Sequence, residues 1–272
     1  MKRATQILFI LGWMCLAVPF GLTEEPVASE NAARLLNSKQ ITSSLSEVRG
    51  FIDRGNLVEA KTKCKDLLAH KLAPEDLRRV HSELYQLNVQ LIFSQTSTPD
   101  SIQYIVQQGD TLQKIAKKHK TTIELLKKSN SIESDRIYSG MKLKVSTANY
   151  TILVDKSENL LKLFSGDELL KAYPVATGEG TKTPAGTFTI ETKLENPTWF
   201  SPAGGVFPPG SPGNLLGTRW MGFSIPSYGI HGTTDPGSIG THVTHGCVRM
   251  HNEDVEELYS IVPLKTQVTI VE

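Results

Sequence analysis

The chain has 272 residues, with 29 Lys and Arg against 28 Asp and Glu, and 39% of its residues are hydrophobic. This length suits one to three domains with buried cores, and the composition is that of a globular protein. The balanced charge produces no broad basic surface, so we expect no nucleic-acid partner.

Residues 1–23 are typical of an export signal. A short basic start precedes the uncharged segment Ile7–Phe20, and polar residues follow. This order of basic, apolar and polar parts is that of a secretory signal peptide. The apolar segment is shorter than the roughly twenty residues that span a bilayer, and it contains Pro19. We therefore expect export; because no A-x-A cleavage site follows, a retained membrane anchor is the alternative to a cleaved signal.

A helical region is predicted to follow a polar linker at 24–40. Within 41–95, apolar residues recur every three or four positions in three runs, separated by Gly55-Asn56 and by Pro74. This period is typical of amphipathic helices, and a proline followed by acidic residues suits a helix start. The pattern predicts a helical hairpin extended to a three-helix unit, a spacer or docking bundle.

Two cysteines remain after the signal, Cys64 and Cys247. An exported protein could join them in a disulfide. However, Cys64 shares a helical face with Ala60 and Leu67, which predicts a buried core residue. Cys247 is then left as a free thiol, and this favours a reactive role for it.

Residues 103–146 predict a small βααβ unit after a Ser/Thr/Pro-rich linker. "YIV" and "MKLKV" suit its two strands. Asp110 with Gln113, and Thr121 with Glu124, have the spacing of helix N-caps, and Asn130 suits the end of the second helix.

The same segment resembles a LysM module. The motif residues are "GDTL", "IA" and "N", followed by the pattern I-x-x-G-x-x-L-x-V at Ile137–Val145. LysM modules bind N-acetylglucosamine glycans such as peptidoglycan or chitin. The resemblance implies a groove between the loop of Gly109, Asp110 and Thr111 and the loop after Asn130. A βααβ unit without sugar binding is the alternative.

Residues 149–272 predict a β-rich domain. Alternating segments such as "YTILVD" and "GTFTIET" suit strands. The Gly- and Pro-rich stretch Asn196–Tyr228 predicts a long loop without regular structure, of the kind that often covers a substrate. A single helix is expected at Glu253–Ile261, with Asn252 as its N-cap and Pro263 after its end. The chain is thus predicted to be a multidomain α+β protein.

The stretch "THVTHGCVRMHNEDVEEL" admits two kinds of site. His242, His245, Cys247 and His251 are all zinc-ligand types, so a zinc site is one alternative. Their spacing matches no common zinc pattern, and alternate residues of a strand point to opposite faces. A purely structural histidine cluster is a further alternative.

A cysteine nucleophile is the second kind of site. A thiol reacts as the thiolate and so needs a base or a positive charge nearby. His231 lies upstream, and Gly232 after it lets the main chain approach closely. The N–H groups at Gly246 and Cys247 could stabilise an oxyanion. Arg249 shares a strand face with Cys247 and could favour a thiolate or bind a carboxylate.

This region resembles the L,D-transpeptidase catalytic domain of the YkuD type. The segments that carry the resemblance are "ATGEGTKTPAGTF", "HGT", "SIG" and "THGCVRM". The family implies a β-rich sandwich with Cys247 as nucleophile and His231 as its base. It implies further that the Gly232 carbonyl orients the histidine, that His245 supports the site through hydrogen bonds, and that Arg249 is the family arginine.

One departure concerns the loop. "NLLG" at Asn214–Gly217 stands where many members have N-P-L-G, which puts the conformation of the lid in question, and not the chemistry.

The two resemblances together imply an exported bacterial enzyme of the periplasm or cell envelope. Its partners would be peptidoglycan stem peptides and N-acetylglucosamine strands. It would form 3→3 cross-links through a cysteine thioester, release D-Ala, and need no metal or organic cofactor. The alternatives are an L,D-carboxypeptidase with water as acceptor and a non-catalytic wall-binding protein. A Cys-His endopeptidase is a further alternative, but that class usually places its cysteine before its histidine.

Overall fold

Three amphipathic helices begin the described part of the chain. The computed structural model describes residues 36–201 and 203–272, so the predicted export signal and most of the predicted linker lie outside it. The helices are α1 Ser38–Asp53, α2 Leu57–Leu68 and α3 Pro74–Phe93. The prediction of three helices is confirmed.

Helix α1 starts inside the segment 24–40 that was expected to be linker. Asn37 and Gln40 form a capping box: the Asn37 side chain accepts from the Gln40 N–H, and the Gln40 side chain accepts from the Asn37 N–H. Two otherwise unpaired N–H groups are satisfied in this way, which favours a helix start at that point.

Cys64 lies in the core of this three-helix unit. Its side chain is fully buried together with Ala60 and Leu67, as the helical pattern predicts. Burial, with a contribution from the Glu83 charge, raises the pKa of the Cys64 thiol to about 12. The thiol is therefore a small apolar core group.

The next segment has the predicted βααβ order. Its elements are β1 Ser101–Ile105, α4 Leu112–His119, α5 Ile123–Ser129 and β2 Lys142–Ser146, with β1 and β2 antiparallel.

Both predicted N-caps of this segment are displaced by one residue. Thr111, and not Asp110, caps α4, and Thr122, and not Thr121, caps α5. The Asp110 carboxylate instead accepts from the Tyr104 hydroxyl and from the backbone N–H of the preceding turn, each at 2.8 Å. It is therefore engaged in closing that turn.

The remaining strands form a closed barrel. They are β3 Tyr150–Asp155, β4 Leu160–Ser165, β5 Glu168–Ala176, β6 Gly186–Glu195, β9 Arg219–Phe223, β10 Gly229–His231, β11 Val248–Met250 and β12 Gln267–Val271. Around the barrel the order is β10-β11-β5-β4-β3-β12-β6-β9. The pairs β3–β12 and β10–β11 are parallel, and the other pairs are antiparallel.

The β-rich domain is confirmed, but its two sheets are joined at both edges. Strand β6 pairs with β12 through Gly186–Thr189 and with β9 through Ile190–Glu195, with a register shift between Ile190 and Thr192. Strand β5 likewise pairs first with β4 and then, at Val175 and Ala176, with β11. Because these two strands pass from one sheet to the other, the expected sandwich closes into a barrel.

The Gly- and Pro-rich stretch contains more regular structure than predicted. A short hairpin is formed by β7 Trp199–Phe200 and β8 Val206–Phe207, and β9 belongs to the barrel wall. The prediction of a loop throughout 196–228 was wrong for β9, which pairs with β10 on one side and with β6 on the other.

Helix α6 Asn252–Ile261 packs beside the βααβ segment. The Thr122 hydroxyl donates to the Ser260 carbonyl, and Lys128 Nζ donates to Ser260 Oγ at 2.9 Å. Leu125 joins the core of the barrel. The described residues, 36–201 and 203–272, thus belong to one compact unit, and none of their helices is long and apolar enough to cross a membrane.

We predict that Thr122→Val destabilises the protein more than Thr111→Val. Both threonines accept from a backbone N–H as helix N-caps, but only Thr122 also donates to α6. Losing a cap costs about 1 kcal/mol, and leaving the buried Ser260 carbonyl unpaired adds about 1–3 kcal/mol. Denaturant unfolding measures both variants; equal losses would show that the contact with α6 contributes nothing.

Candidate active site

The adjacent parallel strands β10 and β11 bring the predicted catalytic residues together. Their register pairs Ile230 with Val248 and His231 with Arg249. Ile230 and Val248 are fully buried in the barrel core. Because side chains alternate along a strand, His231 and Arg249 occupy the other face, and Cys247 begins the strand on that same face.

The His231 ring is held in one orientation. Its Nδ1–H donates to the Gly232 carbonyl at 2.6 Å, so Nε2 is the unprotonated nitrogen of the neutral ring. The Trp220 ring on β9 lies opposite in the antiparallel ladder and stacks on it, with centroids 6.0 Å apart. Burial lowers the pKa of His231 to about 4, the Gly232 hydrogen bond opposes this, and the Arg249 charge adds to the lowering.

The Cys247 thiol is half-buried beside two backbone groups. Its S–H donates to the Ser227 carbonyl at 3.5 Å, and the Gly229 N–H donates to the sulfur. Burial raises the pKa of Cys247, although the Gly229 hydrogen bond and the Arg249 charge lower it in part.

These pKa directions describe a neutral pair. The thiol is favoured over the thiolate at Cys247, and neutral imidazole is favoured over imidazolium at His231. The expectation of a thiolate maintained by a neighbouring positive charge therefore does not fit the resting site. Deprotonation of the thiol has to accompany its attack on a substrate.

Only one of the two predicted oxyanion donors is free in this arrangement. The Gly246 N–H donates to Thr244 Oγ1 at 3.2 Å, and that hydroxyl donates to the Cys247 carbonyl at 2.7 Å. The Cys247 N–H makes no turn or loop hydrogen bond within the described ranges. Gly246 has φ +132, and a Cβ there would lie 2.5 Å from the Lys182 carbonyl oxygen, so the tight passage requires glycine.

Arg249 presents an unused donor at the site. Its Nη1 donates to Ser238 Oγ at 2.9 Å and lies 3.8 Å from the Asp235 carboxylate. Its Nε is buried and has no hydrogen-bond partner among the residues that the structure describes. Because a buried donor without a partner is costly, this group suits an acceptor supplied by a ligand, such as a carbonyl or carboxylate.

The other three histidines of the segment Thr241–Leu258 each have different surroundings. His242 Nδ1 pairs with Thr177 Oγ1 at 2.9 Å, and its Nε2 pairs with the Asn159 amide at 3.2 Å. The His245 side chain is exposed and makes no hydrogen bond to the described residues, so the expected support of the site through hydrogen bonds is not seen. His251 precedes α6 without a side-chain cap bond.

The zinc alternative receives no support from this geometry. Across residues 36–201 and 203–272, no group of three or more His, Cys, Asp or Glu side chains is placed to hold a metal ion. Cys64 and Cys247 are both free thiols, so the disulfide alternative is wrong for this structure.

Comparison with known proteins agrees with the geometry. The family described as the L,D-transpeptidase catalytic domain, YkuD, matches residues 149–270, and the LysM domain matches residues 104–146. A Bacillus licheniformis protein named L,D-transpeptidase YkuD is 38% identical over 177 residues, which cover 62% of this chain and 98% of that protein. Its Bacillus subtilis counterpart is 38% identical over 174 residues, covering 61% and 97%.

This chain belongs to the YkuD L,D-transpeptidase family. Among solved structures, an L,D-transpeptidase from Mycobacterium smegmatis aligns with a TM-score of 0.40 and 19% identity, over 49% of this chain and 64% of that chain. The family assignment rests on the sequence matches.

Sequence reasoning missed two asparagines of this L,D-transpeptidase domain. Asn214, the first residue of "NLLG", is buried, and its amide donates to the Pro197, Phe207 and Pro208 carbonyls. It holds the β7–β8 hairpin even though Leu215 replaces the usual proline. Asn252, predicted to cap α6, is instead its first residue and directs its amide toward Thr233. Nothing in the local sequence distinguishes these roles.

The LysM domain presents an exposed edge at the predicted glycan groove. Gly109 and Thr111 are exposed, whereas the Asp110 side chain closes its turn. The Asn130 amide donates to the Leu126 and Lys144 carbonyls and accepts from the Lys144 N–H, so its side chain is used internally. The side chains of Asp110 and Asn130 therefore hold the two loops between which the glycan groove is predicted.

A groove of about 690 Å³ runs from the second LysM helix and the loop after it onto the barrel. Its LysM side includes Lys127, Ser131 and Asp135, and its barrel side includes Arg219 and Glu256. The Arg219 carbonyl accepts from the Gly232 N–H at 3.2 Å. The groove therefore reaches the strand next to the candidate catalytic histidine.

We predict that iodoacetamide modifies Cys247 and spares Cys64 in the folded protein. Cys64 is fully buried with a pKa of about 12, whereas Cys247 is partly accessible. Because the pKa of Cys247 is raised, its rate should climb roughly tenfold per pH unit through the neutral range. Peptide mapping with Cys64→Ala and Cys247→Ala controls measures this. A pH-independent rate at neutral pH would contradict the neutral pair.

Proposed function

We propose that the protein is a peptidoglycan L,D-transpeptidase that forms 3→3 cross-links through a thioester on Cys247. One observation carries the proposal: Cys247, His231 and Arg249 share one face of two adjacent strands, and the Gly232 carbonyl orients the histidine. Family membership supports the reaction class.

Acylation is the first half of the proposed reaction. Cys247 Sγ attacks the carbonyl on the L-centre of the diamino acid at stem position three, while His231 Nε2 takes the thiol proton. The tetrahedral intermediate expels the terminal D-Ala, whose nitrogen receives that proton from His231. A thioester with Cys247 and free D-Ala are the products.

In deacylation, the acyl group passes from Cys247 to a second stem. The side-chain amine of a second stem attacks the thioester carbonyl, and His231 takes a proton from the attacking nitrogen. The thiol leaves and recovers that proton, which restores Cys247 and gives an amide between two diamino acids. The same steps with water in place of the amine give an L,D-carboxypeptidase.

Two groups of this chain are suited to stabilise negative charge on the substrate during the reaction. The Cys247 N–H is free to donate to an oxyanion formed at the carbonyl bound to its own sulfur. The unpaired Nε of Arg249 is suited to a substrate carbonyl or carboxylate. No step in this scheme requires a metal or an organic cofactor.

The LysM domain is proposed to hold the enzyme on glycan strands. Its exposed loops and the groove that continues onto the barrel support a strand lying across both domains. Binding of this kind raises the local concentration of stem peptides. The substrate lies in the bacterial cell envelope, and the apolar segment Ile7–Phe20 is proposed to direct export there.

Mass spectrometry of the products from purified disaccharide-tetrapeptide tests the proposed function. A cross-linked dimer that has lost one D-Ala supports the transpeptidase. A tripeptide monomer alone assigns water as the acceptor and the protein as a carboxypeptidase. Unchanged substrate with bound glycan would overturn the enzymatic proposal in favour of a wall-binding protein.

We predict that Cys247→Ala abolishes turnover and that His231→Gln lowers acylation by about 10²–10⁴-fold, the usual contribution of a positioned acid–base group. His251→Ala should remain close to the parent, because its side chain makes no cap bond and lies outside the site. Stoichiometric zinc, with activity lost on chelation, would falsify this mechanism.

The same reaction has an expected pH profile. Since His231 has a pKa of about 4 and acts as a base, acylation should lose rate only as pH falls toward that value, when the ring becomes protonated. An acid limb centred near the ordinary histidine pKa would indicate a charged His231 in the resting site.

We predict that Tyr138→Ala weakens binding to purified peptidoglycan about tenfold, corresponding to about 1.4 kcal/mol. The Tyr138 side chain is 71% exposed on the loop that follows Asn130, and aromatic rings are suited to contact with the faces of sugars. Deleting the whole module is a poorer test, because Leu125 contributes to the barrel core.

Sedimentation with peptidoglycan measures this binding, and Leu77→Ala, an exposed site on α3, is the control. Turnover of a soluble tetrapeptide should stay unchanged in both variants. Equal pelleting of the two would argue against this edge as the glycan contact.

A further inference from the structure

The amide of Asn252 lies directly behind the histidine turn. Its Oδ1 accepts from the Thr233 N–H at 3.0 Å and from the Thr218 N–H at 3.3 Å. Its Nδ2 donates to the Thr233 carbonyl at 2.8 Å. The side chain therefore joins the start of α6 to the turn after β10 and to the residue before β9.

The bond to Thr233 acts on the peptide that orients His231. The Gly232 carbonyl and the Thr233 N–H belong to one planar trans peptide, so they point in opposite directions from it. The carbonyl end accepts from His231 Nδ1 at 2.6 Å, and the N–H end is held by Asn252. Fixing one end of this plane fixes the direction in which the other end meets the imidazole.

Only a carboxamide satisfies all three contacts of Asn252. Two backbone N–H groups require an acceptor, and the Thr233 carbonyl requires a donor. A flipped amide would set donors against donors, so the surrounding backbone determines its orientation. Aspartate keeps the acceptor but sets a carboxylate oxygen against the Thr233 carbonyl, and leucine supplies neither group.

The backbone approaches the Asn252 amide closely at two glycines. A Cβ on Gly232 would lie 2.2 Å from Asn252 Oδ1. A Cβ on Gly217 would lie 2.3 Å from the same oxygen and 2.4 Å from the Thr233 nitrogen. Two segments thus approach Asn252 closely because each has glycine at the contact. Gly217 ends the segment Asn214–Gly217, so this segment meets the barrel at the same point.

We infer that Asn252 is a positioning residue for His231: it holds the Gly232–Thr233 peptide so that the carbonyl fixes the ring tautomer and presents Nε2 toward the thiol. The inference rests on the proposed roles of Cys247 and His231. Asn252 does not touch the reacting atoms, and its effect is transmitted through one peptide unit.

The test compares Asn252→Asp, which preserves shape, and Asn252→Leu with the parent. Asn88→Leu is the matched control, because that buried amide also donates to a backbone carbonyl, that of Leu170 on β5, but lies on α3 outside both proposed sites. The measurements are the acylation rate with imipenem, a ligand found bound to one L,D-transpeptidase structure, and the ¹⁵N shifts of the His231 ring. Iodoacetamide modification of Cys247 reports access to the thiol independently of the histidine.

Both Asn252 variants should lose about 100-fold in acylation, the scale of a displacement of about 1 Å at a catalytic group. Their His231 ¹⁵N shifts should move from the Nδ1–H form toward a mixture of tautomers, while alkylation of Cys247 stays unchanged. Asn88→Leu should lower the unfolding midpoint and leave both His231 readouts at parental values.

Parental acylation and ¹⁵N shifts in a folded Asn252→Asp protein would overturn the inference. A loss matched by Asn88→Leu would overturn it too, since it would reflect stability alone. Failure of the proposed function is recognised separately: a parent protein that neither reacts with imipenem nor turns over tetrapeptide tells against the Cys247–His231 pair, while the tautomer comparison still decides the role of Asn252.

Discussion

The hydrogen bond between His231 Nδ1–H and the Gly232 carbonyl is the contact on which the candidate site depends. The imidazole is buried, so a charged ring is disfavoured and a carboxylate partner would require a second buried charge. A backbone carbonyl fixes the tautomer without adding a charge. Its position follows from the β10–β11 register, and the Trp220 ring limits rotation of the imidazole from the other side.

Because the partner of His231 is a neutral carbonyl, the charge state of the Cys247–His231 pair is set mainly by burial. With Cys247 and His231 both neutral at rest, charge separates only when a substrate is attacked. Groups that favour charge separation then act on the transition state more than on the resting enzyme, and Arg249, which lies opposite His231 in the β10–β11 register, is one such group. A thiol with a raised pKa is also a poorer target for oxidants than a thiolate, which suits an exposed cleft.

Local periodicity was sufficient to predict the helices, most strands and the burial of Cys64, because each depends on a face that repeats along a few turns. Periodicity was not sufficient to identify a helix N-cap where two neighbouring residues can both serve as the cap. Asp110 precedes the true cap by one residue and is engaged by the turn just before it, and Asn252 follows its cap by one and is engaged by backbone nineteen residues away. Strand Arg219–Phe223 depends on its pairing with β6, and the N–H of Gly246 is occupied by a threonine hydroxyl two residues away, which the strand pattern does not indicate.

Helix α6 contacts the histidine turn at its first residue and the LysM domain near its last. Its first residue holds the histidine turn, and carbonyls near its end accept from Thr122 of the LysM domain and from the half-buried Lys193 amine. The LysM domain is therefore attached to the catalytic domain through a helix of ten residues, about 15 Å long. A tethered module lets an enzyme sample every stem within reach. Under the proposed function, a module attached through such a helix acts as a ruler: the stems that reach Cys247 would be those at a set interval along the strand from the sugars being held.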